Sequence, residues 1–88
     1  MNRYTVLFTR AAIKDARKIK AAGLKDRTEP LLELIANNPF SSPPPFEKLV
    51  GNLSGANSRR ITIQHRLVYQ VLEKERVVKV LRMWTHYE

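Results

Sequence analysis

The chain has 88 residues, of which 16 are Lys or Arg and eight are Asp or Glu, giving a formal net charge of +8. This length suits one domain, and the hydrophobic fraction of 43% excludes a disordered chain. The absence of cysteine excludes disulfides and thiolate metal sites, and no apolar run approaches the ~18 residues of a membrane span. We therefore expect a cytoplasmic domain that binds no membrane and whose basic charge favours a nucleic-acid partner.

The first half of the chain predicts one strand followed by two helices. Residues 3–8 are rich in β-branched and aromatic side chains, which is typical of a strand. Thr9 can then cap a helix that has a narrow apolar stripe on one side and basic residues on the other. Pro30 fits only the first turn of a helix, so we start the second helix near Thr28 and end it at residues 37–39. We expect the two helices to pack as an antiparallel hairpin.

The second half of the chain predicts an antiparallel meander of three strands. Segments 41–45 and 52–57 are rich in turn-forming residues, and Glu47 is expected in a loop between them. The three strands are expected at residues 60–63, 66–71 and 77–84. The last of them has apolar residues at both odd and even positions, which is typical of a strand covered on both faces. An α+β domain follows, with the helices packed on one sheet face and the other face free for binding.

The residue types present favour acid–base chemistry on a basic surface. His65 and His86 lack metal-ligand spacing, and the scattered glycines form no phosphate loop. RNA supplies its own nucleophile, the 2′-hydroxyl, so its cleavage needs only a base, an acid and cations at the phosphate. Glu47 and His86 are candidates for base and acid, and Arg60 and Arg66 for the phosphate contacts. From these patterns alone, ordinary solvated or packed roles for the same residues stay the more common explanation.

One block of the sequence resembles a known family. Residues 52–69 contain N-L-S-G-x-x-S-R-R-I-T-x-x-H-R-L-V-Y, which resembles the signature of the YoeB (or Txe) toxins of the RelE/ParE superfamily. The similarity extends over essentially the whole chain, including the ending His86-Tyr87. It implies a RelE-like fold and a ribosome-dependent mRNA endonuclease of a type II toxin–antitoxin system that needs no metal or other cofactor. The partners it implies are a YefM- or Phd-like antitoxin, mRNA in the ribosomal decoding site and a second copy of the toxin.

The resemblance also implies a role for each catalytic candidate. Glu47 takes the place of the general base, Arg66 that of the phosphate-stabilising arginine, and His86 that of the general acid. Tyr87 matches a neighbour that assists in the site. The expected product is a 2′,3′-cyclic phosphate.

Three further cations are expected to contact the substrate. Arg60 falls on a family position that lines the site, and Arg59 is its neighbour in the same basic patch. Val50 stands where the family usually has a lysine, and Lys48 is a cation close to that position.

Two other classes of function stay open. A toxin on the same fold can act on a protein target, as ParE acts on DNA gyrase, and a basic domain can bind nucleic acid without cutting it. The first alternative does not require Glu47, Arg66 and His86 together, so the presence of all three favours the nuclease.

Overall fold

The structure is a computed structural model that describes residues 3–51 and 55–84. Its helices and strands are β1 (Thr5–Phe8), α1 (Arg10–Ala21), α2 (Lys25–Asn37), β2 (Phe46–Lys48), β3 (Asn57–Arg60), β4 (Arg66–Leu72) and β5 (Val77–Arg82). The strands form one sheet in the order β1-β5-β4-β3-β2. The predicted α+β domain with an antiparallel meander of the last three strands is confirmed, but the whole sheet is mixed because β1 runs parallel to β5.

Helix α1 begins where the sequence predicts it. Thr9 is the N-cap, with an extended backbone and a side-chain oxygen that accepts a hydrogen bond from the Ala12 N–H at 3.0 Å. The apolar stripe faces inward, and Ala12 and Ile19 are buried. Gly23 follows the helix with a φ of +74°, a conformation that glycine adopts without strain, and the chain turns there into α2. No helix in the described ranges is long and apolar enough to cross a membrane.

Helix α2 begins earlier than predicted. It starts at Lys25 rather than near Thr28, and Pro30 lies within it. The first turn is closed by the Leu24 carbonyl, which accepts hydrogen bonds from the Thr28 N–H at 3.1 Å and the Thr28 hydroxyl at 2.9 Å. The predicted start was wrong, because the turn before Pro30 closes with backbone hydrogen bonds to Leu24 that do not involve the proline nitrogen.

The segment around Glu47, predicted as loop, contains a strand. Phe46–Lys48 forms the short edge strand β2, which pairs with β3. The pairing continues beyond β2, because the Leu49 N–H donates to the Ala56 carbonyl at 2.9 Å. Three residues directly after a run of prolines carry no detectable alternation, so the sequence pattern did not indicate this strand.

The bounds of β3 and β5 also differ from the prediction. β3 ends at Arg60, and residues 61–65 form the turn into β4, which is closed by a hydrogen bond from the Ile61 N–H to the His65 carbonyl at 2.8 Å. β5 ends at Arg82, and Lys79 in its middle is exposed. The prediction that β5 is covered on both faces is therefore wrong, because the helices cover one face and long side chains on the other stay accessible.

The core lies between the helices and one face of the sheet. Directly paired residues of neighbouring strands project to the same face, and Tyr69 of β4 is paired with Val80 of β5. Both are fully buried, as is Ile35 of α2. The core cluster consists of Ala12, Ile19, Ile35, Ile61, Leu67, Tyr69, Val78, Val80 and Met83. Residues of opposite parity on β2, β3 and β4 therefore face away from the helices.

Candidate active site

The register of three neighbouring strands places the candidate catalytic residues on one face. Glu47 of β2 pairs with Ser58 of β3, and Arg60 of β3 pairs with Arg66 of β4. Paired residues share a face of the sheet, and so do alternate residues of one strand such as Ser58 and Arg60. All four side chains consequently belong to the face turned away from the helices.

Glu47 and Arg66 are in direct contact. The Arg66 Nη1 donates to the Glu47 Oε1 at 3.0 Å and to the Ser58 Oγ at 3.4 Å. The Glu47 side chain is 71% exposed and that of Arg66 35% exposed, whereas Ser58 is buried. An ion pair this exposed contributes only about 0–1 kcal/mol to stability, so its contribution to the fold is small. The Glu47 carboxylate is thus accessible to a ligand and lies beside the Arg66 guanidinium, which Ser58 also holds.

Arg66 retains donors for a ligand. Its backbone N–H donates to the Trp84 carbonyl at 3.0 Å, which joins β4 to the end of β5. Within residues 3–51 and 55–84, its Nε and Nη2 have no hydrogen-bond partner. These two nitrogens form the planar edge of a guanidinium that binds a phosphate in a bidentate manner.

An open cleft of about 560 Å³ contains this pair. The residues around it include Arg27, Pro45, Glu47, Ser58, Arg60 and Arg66. Its charged groups in the described ranges are three arginines and one carboxylate. Two like charges opposed across paired strands repel each other, and an anion between Arg60 and Arg66 would relieve that repulsion. The cleft therefore has an excess of positive charge suited to an anion such as phosphate, with one carboxylate among the arginines.

The structure does not place Arg59 in this cleft. Arg59 alternates with Arg60 along β3 and projects to the helix side, where it is 1% exposed. Its Nε donates to the Tyr69 hydroxyl at 2.9 Å, and its other hydrogen bonds go to backbone carbonyls of the loop before β2. Burial raises the pKa of Tyr69 above its usual value although the neighbouring Arg59 charge acts in the opposite sense, so the phenol stays a neutral donor. A guanidinium enclosed in this way is not available to a substrate, so Arg59 is not a candidate for the substrate contact predicted from the sequence.

Lys48 also lies elsewhere. It follows Glu47 in β2 and therefore projects to the opposite face, where it lines a separate cavity beside Val50. Lys48 consequently does not take the position of the family lysine next to Glu47, and the exposed Val50 supplies no charge there.

The predicted acid, His86, and its neighbour Tyr87 lie outside the described residues. The chain is described up to Trp84, whose half-buried ring makes an edge contact with His65 at 4.6 Å between ring centroids. The His65 Nδ1 is 2.7 Å from the Thr62 hydroxyl, so this histidine belongs to the turn between β3 and β4.

Ser58 and Arg27 line the cleft, and neither was predicted from the sequence. Ser58 faces Glu47 because β2 pairs with β3. The only feature of the sequence that pointed to Ser58 was its place in the S-R-R-I-T block. Arg27 comes from the first turn of α2, and nothing in the sequence distinguished it from the other exposed cations.

The sequence matches a described family over residues 8–87, namely the YoeB-like toxin of bacterial type II toxin–antitoxin systems. The chain belongs to this family. Toxin YoeB from Synechocystis sp. is 38% identical over 65 residues, which are 74% of this chain and 73% of that protein. The resemblance to YoeB toxins inferred from residues 52–69 is thereby confirmed.

Solved structures agree in fold. A YoeB/ParE toxin from Agrobacterium tumefaciens superposes with a TM-score of 0.84 at 27% identity, covering 94% of this chain and 99% of that one. YoeB of a YoeB-YefM complex from Staphylococcus aureus gives 0.79 at 31% identity, covering 97% and 99%. The S. aureus YoeB dimer gives 0.78 at 30% identity with the same coverage.

Proposed function

We propose that this toxin is a ribosome-dependent mRNA endonuclease whose own side chains carry out the acid–base chemistry. The observation that carries the proposal is the contact of 3.0 Å between Glu47 and Arg66 in an exposed cleft that also contains Arg60. Membership of the YoeB-like toxin family supports the same proposal, because the resemblance to these toxins implies an mRNA endonuclease.

The proposed reaction begins with a proton transfer to Glu47. The carboxylate takes the proton of the 2′-hydroxyl, and the freed oxygen attacks the adjacent phosphorus. A bond forms between the 2′ oxygen and phosphorus while the bond from phosphorus to the 5′ oxygen breaks. His86 protonates the departing 5′ oxygen, and Tyr87 assists in the site. The products are a 2′,3′-cyclic phosphate and a free 5′-hydroxyl.

Arg66 and Arg60 stabilise the charge that develops on the phosphate. Arg66 offers its Nε and Nη2 edge while Nη1 stays with Glu47 and Ser58, so one guanidinium holds the base and the phosphate together. No metal is required in this scheme, because RNA supplies the nucleophile and the side chains move both protons.

The expected partners follow from the relatives. The S. aureus toxin is solved in complex with YefM and as a dimer, and we propose a YefM-like antitoxin and a second copy as partners here. A net charge of +8 favours an acidic antitoxin segment.

The test is cleavage of mRNA on programmed ribosomes, followed by toe-printing. Glu47→Ala should lower the cleavage rate by roughly 10²–10⁴-fold, as expected for loss of a positioned base, and His86→Ala should abolish cleavage. Glu73→Ala removes an exposed carboxylate from the turn between β4 and β5 and serves as the matched control with wild-type activity. Unchanged cleavage by Glu47→Ala would contradict the proposed base. Intact mRNA together with stalled replication would favour a ParE-like action on gyrase.

A further inference from the structure

Arg59 is a buried cation that has no carboxylate partner in the described part of the chain. Burying a guanidinium costs free energy unless its N–H groups find acceptors. Here Nη1 donates to the Pro44 carbonyl at 2.6 Å, and Nη2 donates to the Ser41 and Pro39 carbonyls at 2.6 and 3.0 Å. With the Nε bond to Tyr69, every nitrogen of the side chain is engaged. The cation is thus compensated by backbone dipoles rather than by an opposite charge.

All three carbonyls belong to one loop, residues 39–45, which leads directly into β2. The Tyr69 hydroxyl donates to the Pro39 carbonyl at 2.8 Å, so that carbonyl is held from two sides. Three consecutive prolines at 43–45 have no N–H groups and cannot pair with a neighbouring strand. Arg59 therefore joins this loop to the sheet. Its side chain supplies the N–H donors that the three prolines lack, and the loop carbonyls accept them.

The same guanidinium lies over the residue that precedes the candidate base. The Arg59 Cζ is 4.8 Å from the centroid of the Phe46 ring, and Phe46 is also its paired residue across β2 and β3. Glu47 is next in β2 and projects to the opposite face. β2 has only three residues and lies at the sheet edge, so its own ladder constrains it weakly. Arg59 thus holds the backbone of β2, which carries Glu47, although Arg59 does not itself line the cleft.

We propose that Arg59 is a positioning residue that holds the 39–45 loop and β2 so that the Glu47 carboxylate stays against Arg66. This inference rests on the proposed nuclease function for its catalytic consequence. Its structural consequence, the local order of β2, is independent of that function.

The test uses the full-length toxin and the variant Arg59→Lys. Lysine keeps the charge, but a single ammonium group cannot reproduce the planar set of donors that spans the three carbonyls and the phenol. We expect kcat to fall by about 10–100-fold with little change in KM, as for a catalytic group displaced by about 1 Å. In a Glu47→Ala background the same substitution should change the rate by less than about twofold, because the displaced group is already absent.

Ile35→Val controls for loss of stability, because it trims the core at α2 and leaves the loop intact. That variant should keep the wild-type kcat at temperatures where it is folded. If Arg59→Lys gives no stable protein, Tyr69→Phe replaces it, because it deletes only the hydroxyl bonded to Arg59 and Pro39. Multiplicative losses in the double variant would overturn the proposal, because a general structural defect acts independently of Glu47.

Amide hydrogen exchange separates this proposal from the proposed function. In Arg59→Lys the Leu49 amide, bonded to Ala56 beside β2, should exchange faster. The Thr5 amide, bonded to Arg76 at the opposite edge of the sheet, should be unaffected. Equal acceleration of both amides, or of neither, overturns the positioning role. If the wild-type toxin cleaves no RNA, the proposed function fails while exchange at Leu49 still decides whether Arg59 orders β2.

Discussion

Asp15 is a carboxylate on α1 with 1% of its surface exposed. It accepts hydrogen bonds from the Arg82 Nε at 2.8 Å and from the Met83 N–H at 3.0 Å. Burial by itself would raise the pKa of Asp15, but the hydrogen bonds and the positive charges of Arg82 and Lys18 outweigh it and leave the pKa below its usual value. Because folding lowers this pKa, the ionised group stabilises the fold above its unfolded pKa, and that contribution is lost as the pH falls through the folded pKa.

We expect the free energy of unfolding to decrease on acidification below about pH 4, and Asp15→Asn to show a smaller decrease. At neutral pH the substitution should cost about 2 kcal/mol, because the charged hydrogen bonds to Arg82 and Met83 are weakened. Urea denaturation over a series of pH values measures both effects. Glu75→Gln, at an exposed turn position, should retain the wild-type pH dependence. If the Asp15→Asn curve runs parallel to that of the wild type, Asp15 is not the group responsible.

At the scale of single elements, Thr9 joins helix α1 to strand β5. Its hydroxyl accepts from the Ala12 N–H at 3.0 Å and donates to the Leu81 carbonyl at 2.8 Å. We expect Thr9→Ala to lower the free energy of unfolding by about 1–2 kcal/mol, as for the loss of a side-chain N-cap. Thr9→Ser keeps the hydroxyl and should retain most of the stability in the same urea titration. Equal losses in both variants would show that the methyl group, not the cap, accounts for the effect.

The elements that could be predicted from the sequence are those with a local cause. Thr9 and the apolar spacing after it define α1 within the chain itself, and the prediction was confirmed. β2 could not be predicted, because its three residues become a strand only by pairing with Asn57–Arg60. The early start of α2 includes a turn closed by backbone hydrogen bonds to the Leu24 carbonyl, which a rule about Pro30 does not consider.

At the scale of the whole molecule, the cleft and the helices belong to different parts of the sheet. α1 and α2 pack beside β1 and β5, whereas the cleft is lined by residues of β2, β3 and β4, by the loops next to these strands and by Arg27 of α2. Glu47 and Arg66 could be named from their residue types and from the family resemblance, but their contact could not be predicted, because 19 positions separate them in sequence and the strand register brings them together. The inward orientation of Arg59 follows from that register, which the strand wrongly predicted at 60–63 did not provide.

A net charge of +8 would attract RNA to the whole surface, but only cations in contact with phosphates would set the salt dependence of binding. We expect Arg60→Gln, in a Glu47→Ala background that slows cleavage, to reduce the slope of log affinity against log salt for single-stranded RNA by about 0.7. Lys74→Gln removes the same charge in the exposed turn between β4 and β5 and should leave the slope unchanged. Fluorescence anisotropy over a salt series measures both slopes. Equal reductions for the two variants would mean that the field of the whole protein, rather than the cleft, holds the RNA backbone.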